Sequence, residues 1–167
     1  MLREIYIENL AVIEKAIIPI EKGFSVFTGE TGAGKSILIN GINAVLGQRV
    51  TKDIVRTGCK KAVISAMFQL EKSITNKLEE LDVICEDNEL LVSREIFSDG
   101  GSVARVNSKT VNVSLLREIG AFLVNIHGQH DNQILLSPEK HIHILDSFGN
   151  LENVILNYQS SFKELQK

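Results

Sequence analysis

The sequence has no run approaching about 18 consecutive apolar residues, and Glu4 and Glu8 break up its first apolar stretch, so neither a membrane-spanning helix nor a secretory leader is expected. Cysteine is scarce. Cys59 and Cys85 stand alone, in no C-x-x-C pattern, which excludes a disulfide framework from the reading and fits a reduced, cytoplasmic compartment. Neither sign of charge dominates: a net charge of -3 gives the molecule no strong field, so contact with nucleic acid would have to come from a local patch. The histidines lack a fourth-ligand pattern. His127 and His130 form H-x-x-H and His141 and His143 form H-x-H, and a histidine metal site is not expected from those spacings. What is present is 167 residues, 44% hydrophobic and 23% charged, about one domain with enough apolar material for a core.

One stretch organises the chain. Gly29-Glu30-Thr31-Gly32-Ala33-Gly34-Lys35-Ser36 reads G-x-x-x-x-G-K-[ST] without a mismatch. The β-branched and aromatic run Phe24–Thr28 enters it and the apolar-periodic run Ile37–Leu46 leaves it, giving strand, glycine loop and helix, a phosphate-binding P-loop. Glycines at 29, 32 and 34 are expected to permit positive φ and close approach, so that backbone N–H groups and the positive end of the helix converge on a polyphosphate. Lys35 would reach the β- and γ-phosphates, and the Ser36 hydroxyl would ligate Mg²⁺, a hard cation that prefers oxygen.

Ahead of the loop, residues 2–8 and Val12–Ile20 read as two short antiparallel strands with a turn near Glu8-Asn9. Behind it, Gly47 is a natural helix stop, and Val50–Lys61 is a polar loop whose Lys52, Arg56, Lys60 and Lys61 make a basic cluster, either a solvated face or a phosphate contact. Ala62–Phe68 is a strand, Ser73 caps a short helix with Ile74, Leu78 and Leu81 on one face, and Glu89–Phe97 is a strand again. Asp99-Gly100-Gly101 turns the chain into Ser102–Val106, a turn at Asn107-Ser108 leads to Thr110-Val111, and Ser114–Gly120 is a capped helical turn. Residues 62–113 thus form an antiparallel β subdomain. Ala121–Ile126 reads as a buried strand delivering the polar cluster His127-Gly128-Gln129-His130 at its C-terminal end, where α/β sheets commonly carry function. Ser137-Pro138-Glu139 starts a helix, which makes Asp146 helical and removes it as a metal-binding carboxylate at a strand end.

Thr28–Ser36, Val55-Arg56-Thr57-Gly58, Val106-Asn107 and above all Ile126-His127-Gly128-Gln129-His130 together resemble the N-terminal head segment of the RecN family, ABC-type ATPases related to structural maintenance of chromosomes (SMC) proteins. The resemblance runs over essentially the whole chain. It implies an ABC-type P-loop head with a mixed central sheet, split in sequence by a long antiparallel coiled coil, that binds ATP and Mg²⁺, dimerises around ATP and acts on DNA in double-strand break repair in the bacterial cytoplasm, at the nucleoid. By the same resemblance Gln129 is the Q-loop glutamine contacting Mg²⁺ and the attacking water, with His127 as the alternative if the registration shifts by two. Imidazole suits Mg²⁺ less well than an amide oxygen. Arg56 resembles the arginine of the SMC-type loop that leans towards the nucleotide. Many SMC-like heads carry another arginine just after the first strand's asparagine, where this chain has Asn9-Leu10-Ala11-Val12.

Within residues 1–167 no apolar strand ends in Asp-Glu and no Leu-Ser-Gly-Gly-like signature occurs, so the expectation is half a site, completed by the C-terminal half of the same head. Leu151, Ile155, Tyr158, Phe162 and Leu165 are spaced 4, 3, 4, 3, the pattern of a coiled-coil seam or of an ordinary amphipathic helix. The division expected is a lobe at 1–150 and the start of a coiled coil at 151–167, continuing past Lys167. Rival readings are the head of another SMC-like or RecF-like DNA protein, a self-contained P-loop kinase or GTPase, and a coiled-coil scaffold with a vestigial site. The second needs an acceptor site or an Asn-Lys-x-Asp motif, absent here, and the intact Lys35-Ser36 pair opposes the third.

Overall fold

A computed structural model of the chain describes residues 1–29, 34–126, 141–142, 145–146, 148–149 and 151–165. Two compact units result, Met1–Asn125 and Ile126–Lys167.

In the first unit strict alternation of apolar and polar residues builds a sheet of six strands: β1 (Leu2–Leu10), β2 (Ile13–Pro19), β3 (Lys61–Gln69), β4 (Glu89–Phe97), β5 (Ser102–Val106) and β6 (Lys109–Val111). Their order is β2-β1-β3-β4-β5-β6, and every neighbouring pair is antiparallel. The expected antiparallel strands are therefore all here, and they join one sheet with the leading hairpin. The hairpin turns at Ala11-Val12, three residues later than the sequence suggested, because Asn9 and Ala11 supply the positive φ values (54° and 47°) that a tight reversal needs.

Period-2 side chains sort the two faces. Ile5, Ile7, Ile64, Ala66, Phe68, Leu90, Val92 and Ile96 point inward and are buried, while Glu4, Tyr6, Glu8, Ser65, Ser93 and Glu95 face outward. Three helices close the inner face: α1 (Lys35–Val45), α2 (Lys72–Glu79) and α3 (Val113–Leu123). Helix α1 contributes Leu38, Ala44 and Val45, and it comes close to β1 at Gly41, where an added Cβ would stand 3.1 Å from Leu10 Cδ2. Lys77 of α2 lies 5.5 Å over the Phe122 ring of α3. Caps differ from expectation. Asn112, not Ser114, accepts from the Leu115 N–H at 2.7 Å, and Ser73 lies inside α2, which has no side-chain cap and buries Thr75 and Leu78.

Two expected strands are not strands. Phe24–Thr28 is irregular, with Phe24 92% and Val26 66% exposed: a strand is defined by a neighbour's hydrogen bonds, and no described strand lies beside it. Ala121–Leu123 instead continues α3, followed by irregular chain to Ile126. A short apolar run has no period that separates strand from buried helix.

On the outer face Glu95 joins neighbouring strands by accepting from Lys61 Nζ at 2.7 Å and Arg105 Nη1 at 2.8 Å. The Lys61 hydrogen bond, with help from Arg105, holds its carboxyl below the usual carboxylate range. A lowered folded-state pKa makes the contribution present above the unfolded value and lost as pH falls through the folded one. We therefore expect Glu95→Gln to cost about 1 kcal/mol at pH 7, no more because both cations are partly exposed. In urea titrations the gap between wild type and variant should close below about pH 4; an equal gap at pH 7 and pH 3 would remove the ion-pair account.

The second unit contains α4 (Glu152–Leu165), on which the Tyr158 and Phe162 rings stack with centroids 6.1 Å apart. Leu145 and Asp146 are helical, as the Ser-Pro-Glu start implied. Among the described residues no helix is long and apolar enough to cross a membrane, and no group of His, Cys, Asp and Glu is placed to hold a metal.

Candidate nucleotide-binding site

The site begins where α1 begins. Gly34 is its N-cap residue, and the Gly34 carbonyl accepts the first helical hydrogen bond, from Leu38 N–H at 2.9 Å. No side chain caps this end and no acidic residue stands in its first turn, so the leading N–H groups face outward unpaired by side chains, with the positive end of the helix behind them. An anion is what such an end accepts.

Lys35 and Ser36 are the first helical residues and both are exposed. Lys35 Nζ donates to the Gly29 carbonyl, which brings the ammonium back over the entrance of the loop. Gly34 has an extended φ of -163°, and Gly29 is not among the residues with positive φ, which corrects the conformational role expected for these two glycines. What they provide instead is space: a Cβ built on either would meet nothing within 4 Å, leaving the backbone open to close approach. An exposed hydroxyl, an exposed ammonium and an uncapped helix start fit a Mg²⁺-bound polyphosphate as donor set. Glu30, Thr31, Gly32 and Ala33 lie outside the described residues, as do His127, Gln129 and His130.

Arg56 is half-buried and donates through Nη1 to the carbonyls of Val12 (2.9 Å) and Ala11 (3.4 Å), bracing the β1–β2 turn. Its own backbone N–H bonds to Asn9 O at 2.9 Å, and Val55 forms a bridge with Leu10. Of the rest of the basic cluster, Lys61 is tied to Glu95, while Lys52 and Lys60 are exposed. The structure thus distributes these cations over different tasks.

The far end of α1 carries a residue that the sequence reading passed over. Arg94 of β4 is 4% exposed and sits in an inner-face row with Ile7, Ile64 and Ala104. Its Nη1 donates to the carbonyls of Ala44 (2.9 Å) and Gln48 (2.6 Å), and its Nε and Nη2 reach Ser102 Oγ at 3.3 and 3.2 Å. Burial, and after it the charge of Arg117, pull its pKa below the ordinary guanidinium value. The available signal was parity: with Leu90, Val92 and Ile96 inward, position 94 had to point inward too. Beside it Gly47, at φ +84°, ends the helix, and Arg117 Nε donates to its carbonyl at 3.4 Å.

Comparison with known proteins bears on this geometry. The model of the AAA domain family matches residues 4–167. DNA repair protein RecN of Bacillus subtilis is 40% identical over 171 residues, covering 100% of this chain and 30% of that protein, and RecN of Halalkalibacterium halodurans is 42% identical over 168 residues, covering 98% and 30%. The chain thus spans about 30% of the length of these relatives. Among solved structures, the Smc head domain of Pyrococcus furiosus, with an extended coiled coil and bound to the C-terminal domain of ScpA, superposes with a TM-score of 0.73 at 22% identity, covering 99% of this chain and 46% of that one. The fold is that of an SMC-type, ABC-like ATPase half-head. Matched by that model over nearly its whole length, the chain belongs to the AAA domain family, and along the same length it is similar to the RecN proteins.

Proposed function

We propose that this chain is the ATP-binding N-terminal part of the head of an SMC-like DNA repair ATPase, working in recombinational double-strand break repair in the bacterial cytoplasm. The observation that carries the reading is the uncapped start of α1, with Lys35 and Ser36 exposed at the end of an unbroken Gly29–Ser36 motif. In this reading backbone N–H groups at that start hold the phosphate oxygens, Lys35 neutralises charge at the β- and γ-phosphates, and the Ser36 hydroxyl and the Gln129 amide oxygen ligate Mg²⁺. Bound Mg²⁺ supplies charge neutralisation between the β- and γ-phosphates. Gln129, or His127 in the shifted registration, orients the attacking water. Arg56 is an accessory counter-charge whose position is fixed by its contacts with the β1–β2 turn.

Residues 1–150 form the lobe, and 151–167 begin a coiled coil. The exposed Phe24–Thr28 segment is where strands of the C-terminal half of the same head would pair. That half brings the carboxylates that residues 1–167 do not supply in recognisable form, and ATP held between two heads draws them into a homodimer that acts on DNA.

Binding and hydrolysis should then come apart. Residues 1–167 alone are expected to bind ATP·Mg²⁺ with negligible turnover, whereas the full-length protein hydrolyses ATP at a rate per molecule that climbs with protein concentration, because two heads share each site. Robust turnover by 1–167, independent of concentration, would place the catalytic group inside this chain and replace the reading with a self-contained P-loop enzyme.

A further inference from the structure

A guanidinium buried in a row of aliphatic side chains needs a physical reason, because a buried cation is costly unless it is paired or fully hydrogen-bonded. Arg94 takes part in neither of the two ion pairs formed among the described residues. Its partners are instead backbone carbonyls at the end of one helix: Ala44 lies in the last turn of α1 and Gln48 just beyond it. The counter-charge is the negative end of α1, whose last carbonyls have no partner within the helix. No basic residue of α1 itself serves that end. Arg94 supplies it from the sheet, and the hydroxyl of Ser102 on β5 holds the remaining face of the guanidinium.

We propose that Arg94 is a positioning residue for nucleotide binding: by fastening the C-terminal end of α1 to β4, and through Ser102 to β5, it sets the angle at which the open N-terminus and Lys35 meet phosphate. The proposal rests on the nucleotide-binding reading above. Helix α1 has 11 residues, hence is about 16 Å long, and a pivot of only a few degrees at its C-terminal end moves its N-terminal N–H groups by about 1 Å. Displacements of that size are enough to degrade a phosphate cradle severalfold or more. The segment entering the loop, Phe24–Gly29, is irregular and Phe24, Val26 and Phe27 are exposed, whereas the other end of α1 is bound to the sheet by hydrogen bonds from Arg94. A cation at one end and a polyphosphate at the other also act on the same helix dipole in the same sense.

The test is titration of full-length protein with a fluorescent ATP analogue and Mg²⁺, well below the melting temperature, where a purely structural role leaves affinity untouched. Arg94→Met is expected to weaken binding about tenfold, and Arg94→Lys, which restores the charge with fewer donors, about threefold. Ser102→Ala leaves the guanidinium but frees one side of it, and about a twofold loss is expected. In steady state KM should rise by more than kcat falls. Arg94→Met that melts lower yet binds with wild-type affinity overturns the proposal. Should that variant fail to fold, wild-type affinity in both Arg94→Lys and Ser102→Ala overturns it equally, and graded losses in those two support it. Lys35→Ala, run alongside, separates the two layers: undiminished binding there overturns the nucleotide-binding reading itself and this proposal with it.

Discussion

Lys35→Ala in the full-length protein is expected to abolish ATP hydrolysis and weaken ATP binding by about a hundredfold, with a melting temperature close to wild type. The two halves of that result have separate causes. Stability survives because Lys35 is exposed and, among the described residues, its side chain hydrogen-bonds only to the Gly29 carbonyl, and surface substitutions of this kind usually stay within about 0.5 kcal/mol. Binding does not survive, because in the proposed site the ammonium is the charge aimed at the β- and γ-phosphates, and no second basic side chain stands in the first turn of α1 to replace it. Gln129→Ala should look different. If it acts on Mg²⁺ and water as charge develops, it lowers kcat more than it weakens ATP binding. Equilibrium binding and turnover measured on both variants check the pair: wild-type turnover by Lys35→Ala would sink the P-loop assignment, and the kcat defect appearing in His127→Ala instead would move the registration by two.

The elements that could be read ahead of the structure are those whose cause is local. The Gly29–Ser36 pattern, the helix after it and its stop near Gly47, and the antiparallel hairpin of β4 and β5 all follow from side-chain period and turn residues lying within a few positions of one another. Phe24–Thr28 has the composition of a strand but depends on a neighbour for its hydrogen bonds, which composition cannot reveal. Ala121–Ile126 departs from its strand pattern for the opposite reason: Gly120 resembles a helix stop, yet the helix runs through it to Leu123, because the missing side chain serves packing against Leu46. Arg94 shows a third case. Its burial follows from strand parity, but its partners are carbonyls 46 and 50 residues away, and no local pattern in the sequence announces a contact of that range.

That packing leads to the second large effect. Gly47→Ala is expected to destabilise the first unit by about 3 kcal/mol, through two additive causes that neighbouring substitutions can separate. At φ +84° any Cβ is strained, and here it would also stand 2.6 Å from the Arg117 backbone nitrogen and 2.8 Å from its Cα, so α3 itself must shift. Gly58→Ala isolates the first cause, since Gly58 has φ +86° and open space around it, and should cost about 1 kcal/mol. Gly120→Ala isolates the second: its φ lies in no strained region, but the new Cβ would lie 2.6 Å from the Leu46 carbonyl oxygen, for a cost of about 2 kcal/mol. Thermal and urea unfolding of the three variants give the comparison directly. The close approach of α3 to the end of α1 predicts that Gly47→Ala and Gly120→Ala both fall well below Gly58→Ala, and that both also weaken ATP binding, because the end they displace is the one Arg94 holds. Equal stability of Gly47→Ala and Gly58→Ala would mean that α3 yields at no cost, and the rigid attachment of α1 would then have to be carried by Arg94 and the sheet alone.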